Sequence, residues 1–215
     1  MASRFSVAAF CTLCALLLDG CAWAPMQAPT MQQAAATRTW HEAIDIAGRI
    51  SVRYQQQGEQ LLTGSFNWSQ RPGRTSVTLL TPFGQTLARI EVEPGRAVFQ
   101  RSGEAPRVAA NVDALAAQAL GWPLPVSGLQ AWLQGFASAG GKPVPVKAEA
   151  PAALVSADGW RIAYASWVDD DNAQPRPRRI DLSRRTEQAG DVEMRIVIDN
   201  WQPHRSTQPA AATGQ

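Results

Sequence analysis

Ile44-Asp45-Ile46-Ala47-Gly48-Arg49-Ile50-Ser51-Val52-Arg53-Tyr54 is the stretch that decides the fold of this chain. Ile44, Ile46, Ile50, Val52 and Tyr54 fall on one face, and Asp45, Arg49, Ser51 and Arg53 on the other. A period of two with one apolar and one polar face marks a half-buried strand.

The same pattern propagates downstream. Leu62, Gly64, Phe66 and Trp68 repeat it, and Arg71-Pro72-Gly73-Arg74 turns the chain into a strand at residues 75–81. Pro82-Phe83-Gly84-Gln85 makes the next turn, residues 86–93 the next strand, and Pro94-Gly95 leads into residues 96–101. Pro and Gly set the backbone these turns need. Connections this short join antiparallel neighbours, so the first half is a meander.

Two short amphipathic helices interrupt it. The first is expected over Val112–Leu120, with Asn111 as N-cap, Asp113 in the first turn and Gly121 past the end. In the second, Ser127 and Gln130 have the spacing of a capping box, and Leu129, Trp132 and Leu133 form one apolar stripe before Gly135. Strands resume at residues 152–157, turn at Asp158-Gly159, and continue through residues 160–167, 178–184 and 192–201, with a polar loop at 169–177. The fold class is therefore mainly β: a half-open antiparallel β-barrel with a helical lid over an apolar cavity. Such a cavity suits lipids or other apolar ligands.

The beginning of the chain has the layout of an export signal. Arg4 precedes an apolar run at residues 5–18, too short for the ~20 residues of a membrane-spanning helix. Leu18-Asp19-Gly20-Cys21 resembles the lipobox of bacterial lipoproteins, although Asp19 stands where a small or apolar residue is usual. Ala22-Trp23-Ala24 offers an alternative cut for ordinary secretion, but Pro25 would follow the scissile bond. The expected organisation is a signal peptide at 1–20, a lipidated Cys21 with a tether at 21–37, a folded domain at 38–202 and a disordered tail at 203–215. The tether could lead into a helix around residues 31–42.

Cys11, Cys14 and Cys21 are the only cysteines, so a chain starting at Cys21 would keep none for a disulfide, a thiolate metal site or a nucleophile. A net charge of +2 speaks against a nucleic-acid surface. Arg176, Arg178, Arg179, Arg184 and Arg185 cluster near Asp169, Asp170 and Asp171, either as a solvated mixed-charge hairpin or as a dock for an acidic partner. Catalysis finds no support. His41 and His204 are the only histidines, no Gly-x-Ser-x-Gly occurs, and Glu91 and Glu93 share the wet face of one strand.

Eight tryptophans against two tyrosines suggest a large apolar interior. Trp68, Trp132 and Trp160 belong either to a dry core or to a cavity lining. Phe83 is unusual, a large apolar ring at a turn tip. It either folds back on the core or protrudes as a wedge for a membrane or an apolar partner.

Thr81-Pro82-Phe83-Gly84-Gln85-Thr86-Leu87-Ala88-Arg89-Ile90-Glu91, with Pro94-Gly95 after it, closely resembles the outer-membrane lipoprotein receptor family LolB. Gly48-Arg49-Ile50-Ser51-Val52, Gly64-Ser65-Phe66-Asn67-Trp68, Leu120-Gly121-Trp122-Pro123-Leu124-Pro125, Trp132-Leu133-Gln134-Gly135, Asp158-Gly159-Trp160 and Ile198-Asp199-Asn200-Trp201 extend the series in order. The resemblance implies a fold similar to that of the periplasmic lipoprotein carrier. It implies partners as well: a LolA-like carrier, the acyl chains of lipoprotein cargo, and the inner leaflet of the outer membrane. No cofactor and no metal are expected, and the protein is expected to act as a monomer. Phe83, with Pro82 and Gly84, falls on the loop that the family projects for membrane insertion. Phe66, Trp68, Leu79, Ile90, Leu129, Trp132, Leu133, Trp160, Ile162 and Ile196 are the candidate cavity lining. Two other roles stay open, a lipoprotein scaffold in an envelope assembly and a general periplasmic lipid binder.

Overall fold

The computed structural model describes residues 38–55, 58–139, 142–147, 153–168 and 174–204. The signal, Cys21, the tether and the tail beyond His204 lie outside them, as do Asp169, Asp170 and Asp171.

The meander appears as β1 (Ile44–Gln55), β2 (Glu59–Arg71), β3 (Arg74–Leu80), β4 (Thr86–Glu93), β5 (Arg96–Gln100) and β6 (Arg107–Ala109). Helices α1 (Val112–Leu120) and α2 (Val126–Trp132) follow, then β7 (Phe136–Ala139) and β8 (Lys142–Pro145). The chain closes with β9 (Leu154–Val155), β10 (Arg161–Val168), β11 (Arg176–Thr186) and β12 (Gly190–Pro203). Ten strands form one antiparallel sheet in the order β6-β5-β4-β3-β2-β1-β12-β11-β10-β9, and β7 pairs with β8 apart from it. The first and last long strands meet at the centre, Ile44 opposite Pro203 and Val52 opposite Met194. Among the described residues the sheet ends at β6 on one side and β9 on the other, so the barrel is open.

Curvature comes from local irregularity. A bulge between Ala47 and Gly48 shifts the β1–β12 register, and a bulge bends a strand and increases its twist. A Cβ at Gly48 would lie 2.1 Å from the Val197 carbonyl oxygen and 3.0 Å from the Phe66 ring. Only glycine permits that approach. The concave face so formed gathers the apolar residues of β1 to β5 and β10 to β12 into one core, and Leu115, Ala116, Leu129, Trp132 and Leu133 of the helices cover it.

Asn111 caps α1 as expected, its Oδ1 accepting from the Ala114 amide at 2.9 Å, and Gly121 ends the helix in the left-handed region. The capping box at α2 does not form. Helix α2 starts at Val126 with Pro125 at the N-cap, so Ser127 lies inside the helix. Its amide donates to Asp113 Oδ1 at 3.0 Å and its hydroxyl bonds Asp113 Oδ2, while Gln130 Nε2 donates to Thr75 Oγ1 at 3.1 Å. Residues with the spacing of a cap tie the two helices to each other and to the sheet.

Two further expectations are corrected. Residues 38–42 are not helical; they form a strap whose polar groups find partners elsewhere. The Arg38 guanidinium donates to the carbonyls of Pro175, Gly135 and Val146, each at 2.9 Å, and its Cζ stacks 4.3 Å from the Trp167 ring centroid. The His41 amide donates to Gln134 Oε1 at 2.9 Å, and Gln134 Nε2 returns a bond to the His41 carbonyl at 3.0 Å. Second, strand β12 runs on to Pro203 and the His204 amide donates to the Ala43 carbonyl at 2.8 Å, so the fold extends two residues into the expected tail. The arginine cluster lies along β11, where the strand was expected, and pairs with acidic groups. Arg178 pairs with Asp199, Arg179 with Asp181 and Arg185 with Asp191, and Arg184 lies over the Trp160 ring at 6.0 Å.

Candidate functional site: the lidded apolar interior and the Phe83 loop

Beneath α2, Ile50, Phe66, Trp68, Val77, Leu79, Leu124, Leu129, Leu133 and Ile196 surround an apolar gap. Strand alternation puts Ile50, Phe66, Trp68, Val77, Leu79 and Ile196 on the concave face, and the α2 stripe brings Leu129 and Leu133 down onto them. The gap holds about 10 Å³, at the lower limit of the ~10–15 Å³ that one water occupies. The interior is thus apolar and closed, with the lid's own leucines filling it.

Six of the ten candidate lining residues meet there: Phe66, Trp68, Leu79, Leu129, Leu133 and Ile196. Ile90, Trp132, Trp160 and Ile162 do not border the gap; they are buried in the surrounding core. Ile50, Val77 and Leu124 border it and were not among the candidates. Ile50 and Val77 could have been found by following strand alternation, whereas Leu124, between Pro123 and Pro125, has no periodicity to betray it. Trp122 is fully buried as well.

Tyr164 is one of the polar groups that meet the lid. It donates its hydroxyl to the Trp132 carbonyl at 3.1 Å, and burial pushes its phenol well above the usual range. Burial lowers Arg38, which the nearby Tyr164 opposes. Burial likewise lowers His41.

The β3–β4 turn projects from the sheet end. Gly84 N–H donates to the Thr81 carbonyl at 2.9 Å and Thr81 N–H to the Gln85 carbonyl at 2.8 Å, so the turn is braced from within. Phe83 at its tip is 92% exposed and does not fold back on the core. Pro82 borders a shallow outer groove with Arg49, Thr63 and Arg195. Arg49 is bidentate to Asp199 at 2.9 and 3.0 Å, and Arg195 donates to Asp181 at 3.0 Å, so this groove is electrically balanced. Arg49 holds the Asp199 carboxyl below its ordinary range. Asp181 is lowered as well: burial opposes the shift, and hydrogen bonds from Arg179 and Arg195 outweigh it. Among the described residues no cluster of His, Cys, Asp and Glu could hold a metal ion.

The described residues thus form an open antiparallel half-barrel, lidded over an apolar interior and bearing an exposed aromatic ring at a turn tip. The model of the family "Outer membrane lipoprotein LolB" matches residues 42–201. Two outer-membrane lipoproteins LolB are similar to this chain. That of Cupriavidus necator is 36% identical over 92% of this chain and 97% of its own length. That of Cupriavidus metallidurans is 39% identical over 71% and 77% respectively. Among solved structures, a LolA superfamily protein from Nitrosomonas europaea aligns over 82% of this chain and 93% of its own, with 8% identity and a TM-score of 0.41. The chain belongs to the LolB family of outer-membrane lipoproteins. It is lipid-anchored at the outer membrane, facing the periplasm, and serves lipoprotein localisation rather than catalysis.

Proposed function

We propose that this protein accepts lipid-modified proteins from a soluble, LolA-like periplasmic carrier and releases them into the inner leaflet of the outer membrane, acting as a monomer anchored through Cys21. The observation that carries this reading is the pairing of a lidded apolar interior with the exposed ring of Phe83.

Acyl chains need a pocket of several hundred Å³, far more than the closed interior offers. Helix α2 must therefore lift, and the chains take the space that Leu129 and Leu133 fill in the empty state. Pro123, Pro125 and Gly135 bound α2 as a short unit, and lifting it breaks the bonds from Gln130 to Thr75 and from Tyr164 to the Trp132 carbonyl. Transfer without an energy source runs downhill, each tenfold preference of acceptor over donor corresponding to ~1.4 kcal/mol. Phe83 lowers the last barrier by entering the leaflet. Burying its ring gains ~1.5–3 kcal/mol, enough to hold the exit against the membrane.

Separate measurement of carrier-to-protein and protein-to-vesicle transfer tests the proposal. With Phe83→Glu, acceptance stays within twofold of the unaltered protein while delivery falls about tenfold or more. Unchanged delivery removes the wedge from the mechanism. A sealed interior is also what an envelope scaffold would show, and failure of lipoprotein cargo to load onto the unaltered protein would favour that reading.

A further inference from the structure

Three cross-strand pairs on the inner face of β2 and β3 run from apolar to polar: Phe66 opposite Leu79, Trp68 opposite Val77, Gln70 opposite Thr75. The first two rows line the apolar gap. The third is buried too, Gln70 being 6% and Thr75 3% exposed, yet it borders a different space. This is an open cleft of about 500 Å³ whose other walls are Trp40 and Glu42 of the strap, the turns at Pro72 and Pro94, and Gln130 of α2. Gap and cleft thus share one continuous wall, divided by a neutral hydrogen-bonding seam. Across that seam Trp68 Nε1 donates to Gln70 Oε1 at 3.4 Å and Gln130 Nε2 to Thr75 Oγ1 at 3.1 Å.

A purely structural core would not favour these side chains. Burying an amide or hydroxyl is unfavourable unless its bonds are made. The Trp68–Gln70 bond lies beyond the usual N–H···O range, and an amide offers two donors and two acceptor sites. The seam therefore retains unused capacity at the place where an apolar channel meets water. A ligand with apolar chains and a polar junction matches that gradient.

Charge selects the junction. The cations of the cleft are already engaged, Arg71 by both oxygens of Asp45 at 2.8 and 2.9 Å and Arg74 by Glu91 at 2.5 Å. Glu42 and Glu93 line the same walls, so a phosphate would meet carboxylates. Ester carbonyls and amide groups would meet Gln70, Thr75 and Gln130. We infer that this cleft is the portal that holds the ester and amide junction of an acylated polypeptide while its chains run inward past Trp68 and Val77. The inference rests on the acyl-binding reading above and adds to it the entry point, the residues and the neutral head.

Binding to the full-length protein can test it with two fluorescent probes. One is an N-acyl, S-diacylglyceryl cysteinyl peptide; the other is the same peptide with a single S-hexadecyl thioether and no ester or acyl amide. The double variant Gln70→Met with Thr75→Val, and separately Gln130→Ala on the half-buried helix face, should each weaken the first probe about tenfold and leave the second within twofold. Equal weakening of both probes would reduce the seam to packing, and no change in either would remove it from binding; both results overturn the portal. If neither probe binds the unaltered protein, the acyl-binding reading itself fails. A lysophospholipid that displaces the first probe as well as unlabelled lipopeptide does would overturn the neutral-head assignment.

Discussion

Strand β3 is bounded by two turns of opposite chemistry, each with a glycine in the left-handed region. At one end Pro72-Gly73 sits between Arg71 and Arg74, with Gly73 at φ 71°. At the other, Pro82-Phe83-Gly84 carries Gly84 at φ 79°. Both glycines occupy the left-handed region that a tight turn demands, and a Cβ at either would meet nothing within 4 Å. Backbone geometry thus asks for a left-handed glycine at both ends and does not call for Phe83. The polar end ties its side chains down through Asp45, Glu91 and the seam behind them. The apolar end leaves its ring in water, where folding gains nothing from it. Folding does not account for that difference, whereas the proposed membrane contact would.

That contrast can be broken or sharpened by substitution. The largest expected effect lies between the two ends, at Leu133, which is buried beside the gap. Leu133→Ala should cost about 2–5 kcal/mol in denaturant unfolding, as large-to-small core changes do. A cost under ~0.5 kcal/mol would mean that the lid is not packed as the structure has it. Phe83→Glu comes next, with about tenfold slower delivery to vesicles and a midpoint of unfolding that barely moves, because exposed positions usually stay within ~0.5 kcal/mol. A large loss of stability there would show that the ring packs somewhere after all.

The paired variants Gly73→Ala and Gly84→Ala isolate the backbone contribution. Each should destabilise by about 1–2 kcal/mol, the cost of a side chain in the left-handed region. Only Gly84→Ala should also slow delivery, since it alone disturbs the presentation of Phe83. Equal slowing by both would break the functional asymmetry.

The smallest effect belongs to the polar end. The Arg71 hydrogen bond holds the Asp45 carboxyl well below its ordinary range, with Ser69 and His204 adding to it against the opposing effect of burial. A carboxyl depressed in the folded state lends stability that is present above its unfolded pKa of ~3.9 and lost as pH falls toward the folded value. Asp45 and Arg71 are each more than a third exposed, so solvent screening limits the contribution to ~1 kcal/mol or less. Asp45→Asn should therefore lower stability slightly at neutral pH and flatten the acid limb below about pH 4 in unfolding followed against pH. An unchanged acid limb would place the acid sensitivity elsewhere.

Legibility in the sequence followed interaction range. Strands β1 to β5 were readable because alternation and Pro-Gly turns are local, and α1 because Asn111 and Gly121 cap it from within a few residues. Strands β6, β7 and β8 carry no such signal. Lys142-Pro143-Val144-Pro145 reads as a breaker, and it becomes a strand only because residues 136–139 lie opposite it. Ser127 was misread for the same reason, its partner Asp113 standing fourteen positions away on another helix. The candidate site divides similarly. Periodicity and resemblance indicated which residues turn inward, but Trp132, Trp160, Ile90 and Ile162 fell outside the gap and Ile50, Val77 and Leu124 within it.

The sequence by itself determined a meander of antiparallel strands with one apolar face, two short amphipathic helices and an aromatic residue at a turn tip. Each of these follows from side-chain period or turn chemistry acting over a few residues. Only the tertiary structure decided that the interior is sealed, that the strap at Arg38 and His41 grips the end of α2, and that Gln70 and Thr75 stand where the interior meets the cleft. Those facts depend on how a curved sheet brings distant segments together, and curvature is set by bulges and close approaches such as Gly48 against Val197, which no single segment reveals.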